Sequence, residues 1–205
     1  GCAGADGGAL TGVNGVRRPP RVEARQGIRD TPGTGHEAMI EIVPFSPQYA
    51  DGVVAVILPI QQAEFDLPIT LEEQPDLKDI PAFYQRGEGN FWVALDGGKV
   101  IGTVALLDIG NHQAALRKMF VAATHRGPAH GVARRLLGAL IAWRRSRDVR
   151  TVYLGTTAKF LAAHRFYEKN GFREIAREAL PARFPVMAVD TKFYTLVTCP
   201  ASPGT

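Results

Sequence analysis

Leu116-Arg117-Lys118-Met119-Phe120-Val121-Ala122-Ala123-Thr124-His125-Arg126-Gly127-Pro128-Ala129-His130-Gly131-Val132-Ala133-Arg134-Arg135-Leu136-Leu137 is the stretch whose reading decides the fold. The apolar run centred on Met119, Phe120 and Val121 reads as a buried strand, and the segment from Arg126 to Gly131 as a turn. Val132, Ala133, Leu136, Leu137, Leu140 and Ile141 then recur at the spacing of one apolar helical face. A strand that passes through a glycine-containing turn into a helix gathers backbone N–H groups at one point. The helix dipole adds positive potential there, so the turn is a natural cradle for phosphate. Gly131 lets the backbone approach the anion, and Arg126 adds a charge-assisted contact.

Residues 162–172 read Ala-Ala-His-Arg-Phe-Tyr-Glu-Lys-Asn-Gly-Phe. Together the two stretches resemble the GNAT family of acyl-CoA-dependent N-acetyltransferases. In that family an Arg/Gln-x-x-Gly-x-Gly/Ala turn binds the CoA pyrophosphate, and an A-x-x-x-Y-x-x-x-G-F stretch closes the site. Ala163, Tyr167, Gly171 and Phe172 match the second pattern at every place. The resemblance covers about residues 39–197. It implies an α/β fold with a mixed, mostly antiparallel central sheet, a splayed central strand pair and flanking helices. It also implies acetyl-CoA as cosubstrate and direct attack by a primary amine in a ternary complex. By that resemblance Met119, Phe120 and Val121 lie beside the pantetheine and thioester. Arg126, Gly127, Ala129, His130, Gly131, Val132 and Ala133 hold the pyrophosphate, and Tyr167 is the general acid.

Three departures from the family pattern stand out. Arg126 precedes Gly131 by five positions where three are usual, with Pro128 at the usual Arg/Gln place, so Arg126 is expected to reach the phosphates from a bulged turn. Phe160 stands seven residues before Tyr167, where many relatives carry Asn. The strand Ala114 to Val121 has no acid to serve as base, only Arg117 and Lys118. Glu64, Asp66, Glu73, Asp108 and His112 are the candidate bases near the expected acceptor region. Glu64 and Asp66 are the expected substrate contacts, and the acidic character of that region favours a cationic amine by charge complementarity.

At 205 residues the chain suits one domain with one sizeable core. A formal charge of +4 admits an anionic ligand without requiring nucleic acid. No apolar run is long enough for a membrane span. Cys2 and Cys199 lie in the end segments and suggest neither a disulfide framework nor a metal site, so a reducing cytoplasm is the default. Residues 1–38 are rich in Gly, Arg and Pro without a structural period. We read them as a disordered or artefactual extension, Met39 as the functional start, and residues 198–205 as a tail.

Between these ends the expected order is β-α-α-β-β-β-α-β-α-β-β. Ile40 to Val43 is the first strand. A helix with Val53, Val54, Val56, Ile57 and Ile60 as its apolar face follows, kinked or ended by Pro59. Thr70 with Glu73 forms a capping signal, and a second helix covers Leu77 to Gln85. Asp96-Gly97-Gly98 and Gly110-Asn111-His112 are hairpin turns between strands Asn90 to Leu95, Lys99 to Asp108 and Ala114 to Ala122. Later strands are Thr151 to Leu154, Phe172 to Ile175 and Val186 to Val197, with a helix from Phe160 to Asn170. The acceptor is expected to be a small-molecule or peptide amine, with a homodimer left open. Two rivals are a catalytically silent acyl-CoA sensor on the same fold and a nucleic-acid binder using the arginines from Arg134 to Arg150. No metal-ligand spacing accompanies His130 or His164.

Overall fold

The computed structural model describes residues 40–158 and 160–197. The extension and tail inferred above therefore lie outside the described residues. Seven strands form one sheet: β1 (Glu41–Pro44), β2 (Asn90–Asp96), β3 (Lys99–Gly110), β4 (Gln113–Val121), β5 (Thr151–Thr156), β6 (Arg173–Ile175) and β7 (Lys192–Val197). Their order is β1-β2-β3-β4-β5-β7-β6. Every pairing is antiparallel except β4 with β5. Both hairpins form where the turn residues predict them. Asp96 pairs with Lys99 around Gly97 and Gly98, at φ 55° and 83°. Gly110 pairs with Gln113 around Asn111 and His112, at φ 55° and 58°. Two consecutive left-handed residues match the twist of the flanking strands.

Helices α4 (Val132–Ser146) and α5 (Leu161–Lys169) accompany one face of the sheet, and α1 (Ala50–Pro59), α2 (Pro75–Lys78) and α3 (Ile80–Tyr84) the other. In α4 the apolar stripe reads out as planned: Val132, Leu136, Leu137 and Leu140 are all buried against Trp92, Ile101, Val104, Leu116 and Val121. Full burial of such side chains contributes about 1.5–3 kcal/mol each, which fixes the start of this helix beside β4. On the other face Val53, Val56 and Ile57 of α1 pack with Phe91, Val93 and Ala105.

Two expectations are corrected, and one is refined. The α-helix ends at Pro59 as expected, and the chain continues as a π-helical turn, Ile60–Glu64. A proline inside a helix removes one ladder bond, and a wider turn absorbs that loss. The single helix expected over Leu77 to Gln85 is instead α2 and α3, divided at Asp79, whose carboxylate accepts the Ala82 N–H at 3.0 Å. The last strand begins at Lys192, not Val186. Asp190 N–H bonds back to the Met187 carbonyl and its carboxylate accepts Met187 N–H, so this segment curls into a turn.

The sheet opens at its centre. β4 and β5 are paired only at Gln113–Thr151, Ala114–Val152 and Ala115–Tyr153, while β5 stays with β7 as far as Thr156. Beyond Ala115 the two central strands splay apart, and the β4 backbone facing β5 loses its strand partner. A bulge follows in β4. The register with β3 jumps from Ala105–Arg117 to Thr103–Phe120, with Lys118 at φ 51°. The Thr103 hydroxyl donates to the Lys118 carbonyl at 2.7 Å and secures the bulge.

Candidate active site

The turn between β4 and α4 is open and exposes its backbone. Gly131 is the N-cap residue of α4 at φ 61°, and Gly127 lies at φ 95°. The helical ladder begins with Arg135 N–H on the Gly131 carbonyl, while Gly131 N–H turns back to Gly127. The N–H groups of Val132, Ala133 and Arg134 come before the first ladder bond. A Cβ at Gly131 would meet nothing within 4 Å, so the residue is required for its left-handed backbone and not for internal space. Ala129 and His130 are exposed in the turn, with the His130 ring 5.7 Å from that of His125. The expected phosphate contact from Arg126 is not what its side chain makes. Its Nε donates to the Val121 carbonyl at 2.7 Å, and its guanidinium grips both oxygens of Glu64 at 2.7 and 2.8 Å. Arg126 thus ties the turn to the end of the π-helical segment.

Within β4, Met119 packs toward α4 and α5, whereas Phe120 lies on the opposite face with its ring 5.9 Å from Phe65. Phe65 also stacks on Phe160 at 4.0 Å, so the aromatic at the family's Asn position joins the α1–α2 connection to the start of α5. Tyr167 on α5 is buried among Phe166, Phe172 and Tyr194. Its hydroxyl has no hydrogen-bond partner among the described residues, and burial pushes the phenol pKa above its ordinary value. The hydroxyl oxygen is not cut off from solvent, so it is free to donate to a bound partner. His164 is buried and donates from Nε2 to the Thr157 carbonyl at 2.9 Å.

Most of the candidate bases serve structure. The Glu73 carboxylate accepts Thr70 N–H at 2.8 Å, but Thr70 caps no helix: the next one starts at Pro75 with Gln74 as its N-cap. Asp108 accepts Glu88 N–H and Gly110 N–H at a turn, and His112 faces Asp148 at the outer end of the hairpin. Glu64 is held by Arg126, and Asp66 is exposed at φ 51°. The structure brings together other groups on the α1–α3 face of β4. Lys118, its side chain 7% exposed, reaches Asp76 at 3.1 Å and the Gln74 amide oxygen at 2.7 Å. Tyr84 donates to Asp76, and Gln74 exchanges two hydrogen bonds with Gln61. Burial lowers the Lys118 pKa, and Asp76 partly restores it.

Two further charges sit where the strands diverge. Ala115 and Tyr153 are paired and share one face with Phe184 and Phe193. Two residues on, Arg117 of β4 and Gly155 of β5 return to that face across the splay. The Asp190 carboxylate lies over Gly155: a Cβ there would come 2.4 Å from its Oδ2. Burial raises the Asp190 pKa, with the Met187 N–H and the Arg117 charge opposing. Arg117 makes one side-chain hydrogen bond among the described residues, to the Met187 sulfur at 3.2 Å. Sequence reading missed Asp190 because it assigned that segment to a strand.

A family model described as the acetyltransferase (GNAT) family matches residues 56–172, more than half of the chain. The chain belongs to the GNAT acetyltransferase family. A GNAT-family acetyltransferase structure from Staphylococcus aureus is 37% identical, with a TM-score of 0.72 over 76% of this chain and 97% of that one. An acetyltransferase from Streptococcus agalactiae is 31% identical, with a TM-score of 0.73 over 78% and 98%. Among curated relatives, the N-acetylaspartate synthetase of Xenopus tropicalis is 36% identical across 49% of this chain. The match takes in 37% of that frog protein, so the chain spans well under half the length of this relative. The splayed central pair of the GNAT fold is thus the β4–β5 divergence.

No group of three or more His, Cys, Asp or Glu placed to hold a metal occurs among the described residues. No described helix is long and apolar enough to cross a membrane. In the basic run, Arg144 is buried on the Leu196 carbonyl, Arg147 lies over Trp143 and Arg150 pairs with Asp148.

Proposed function

We propose that the protein moves an acetyl group from acetyl-CoA to a primary amine by direct attack in a ternary complex. The single observation that carries this is Tyr167, a buried side chain in the family's acid position whose hydroxyl bonds no described residue. In this reading the pyrophosphate rests on the N–H groups of Val132, Ala133 and Arg134, with Gly127, Ala129, His130 and Gly131 forming the rim. Arg126 braces that turn through Glu64 instead of touching phosphate. The pantetheine runs along the unpaired β4 edge at Met119, Phe120 and Val121, which leaves the thioester at the splay. Phe160 offers it an apolar wall where relatives offer an amide.

The amine nitrogen attacks the thioester carbon, the N–C bond forms, and the C–S bond breaks. Tyr167 donates toward the sulfur as negative charge gathers there. Burial keeps the phenol protonated until that moment, since phenolate is the disfavoured form in this pocket. The frog relative's name says that its product is N-acetylaspartate, an acetylated amine. One chain supplies all these elements, so a homodimer is not required for the chemistry. A reducing compartment that contains acetyl-CoA, such as the cytoplasm, suits this reading, and the reaction calls for neither metal nor nucleic acid.

The test is transfer from acetyl-CoA to a panel of amines, read by mass spectrometry together with release of CoA thiol. One acetylated amine per thiol is the expected result. Tight binding of acetyl-CoA with no amine acetylated would identify a silent sensor instead.

A further inference from the structure

The diverging strands carry unlike charges on one face, and neither is held in an ion pair with a described residue. Arg117 projects from β4, and Asp190 covers Gly155 of β5 on the far side of the gap. The guanidinium is near enough to lower the Asp190 pKa. Lys118 does not change this balance, because Asp76 neutralises it. The other charges around Asp190 are Glu174, Arg177 and Lys192, which line a hollow with it, and Lys192 is paired to Glu174 at 2.7 Å. A cation and an anion held apart in this way are complementary to a zwitterion. A guanidinium fork suits a carboxylate, and an aspartate suits an ammonium.

Building on the acetyltransferase reading, we infer that the acceptor is an amino acid, its carboxylate bound by Arg117 and its amine held at Asp190, which acts as general base. This replaces the cationic amine suggested by Glu64 and Asp66, since Arg126 already occupies Glu64. The acceptor enters as an ammonium ion, and Asp190 takes one proton and passes it to solvent. The neutral amine forms the N–C bond while the C–S bond breaks. A second N–H proton balances the one delivered to sulfur, giving the amide, the CoA thiol and one released proton. The Asp190 carboxylate already accepts Met187 N–H, which fixes its orientation over β5.

The experiment measures initial rates with acetyl-CoA and three acceptor classes: free amino acids, their carboxamides, and a polyamine. A free amino acid should exceed its own carboxamide by at least about tenfold in kcat/KM, the worth of one charged hydrogen-bonded contact. Arg117→Met should raise KM for the amino acid by about tenfold and leave the carboxamide unchanged. Asp190→Asn should lower kcat and abolish the acid limb of its pH profile. In the unmodified protein that limb should lie above the ordinary carboxylate range, with rate rising as Asp190 loses its proton. Gly155→Ala, which displaces Asp190 without removing its charge, should lower kcat as well. A preference for the carboxamide or polyamine would overturn the inference and leave the acetyltransferase reading standing. Equal losses for both acceptors in Arg117→Met would overturn it too. No transfer to any amine would remove both.

Discussion

Tyr167→Phe deletes one oxygen atom from a side chain that is 7% exposed and whose hydroxyl has no partner among the described residues. The hydroxyl bonds no described residue and is not cut off from solvent, so its removal should change the stability of the fold by no more than about 1 kcal/mol. The ring contacts with Phe166, Phe172 and Tyr194 survive the change. Turnover should move the other way. General acid catalysis is worth about 10²–10⁴-fold, and the lower end applies because a thiolate leaves tolerably well without a proton. A loss of about 100-fold corresponds to about 2.7 kcal/mol of transition-state stabilisation. Acetyl-CoA affinity should stay close to the original, since the phenol matters chiefly as charge develops on sulfur. Chemical denaturation reads the first quantity and single-turnover kinetics the second. A donor with a more acidic thiol should narrow the gap between the two proteins. Unchanged turnover where chemistry limits the rate would refute the role. A stability loss above about 2 kcal/mol would show that the hydroxyl is structurally bonded.

Gly131→Val forces a β-branched residue into a left-handed N-cap, which costs about 1–2 kcal/mol or more. CoA affinity by calorimetry should fall at least about tenfold, with Gly131→Asn milder because Asn tolerates that backbone; unchanged affinity in a folded Val variant would mean the turn is not the anion site. Arg126→Ala breaks a half-exposed pair worth at most about 1 kcal/mol, so CoA affinity should change by no more than about threefold. A loss beyond about tenfold would show the guanidinium swinging onto phosphate. Lys118→Met strands a buried Asp76 and should cost about 3–5 kcal/mol in denaturant unfolding, recovered only in part by adding Asp76→Leu, which takes the acceptor from the buried Tyr84 hydroxyl.

What the sequence made legible is what local chemistry decides. The hairpin at Asp96-Gly97-Gly98, the apolar stripe of α4 and the left-handed residue at Gly131 each follow from a few neighbouring side chains. The family pattern from Ala163 to Phe172 located α5 for the same reason. Charges that meet only in the folded chain were not legible. Arg126 and Glu64 are 62 residues apart, and their pairing changes the reading of both. Lys118 looked unsuited to the site until Asp76 was seen to neutralise it. The run Val186 to Val189 has strand-like composition, yet three of its side chains, Val186, Met187 and Val189, are exposed. The Met187–Asp190 turn outcompetes pairing there and carries Asp190 to the splay.

The most direct measurement is a structure of the protein with CoA bound. The pyrophosphate should lie on the N–H groups of Val132, Ala133 and Arg134, with the pantetheine along β4 past Ala115. The sulfur should lie within hydrogen-bonding reach of the Tyr167 hydroxyl, with Arg117 and Asp190 on the acceptor side of the thiol. CoA seated elsewhere, or a sulfur remote from Tyr167 with its hydroxyl still unpartnered, would contradict this arrangement.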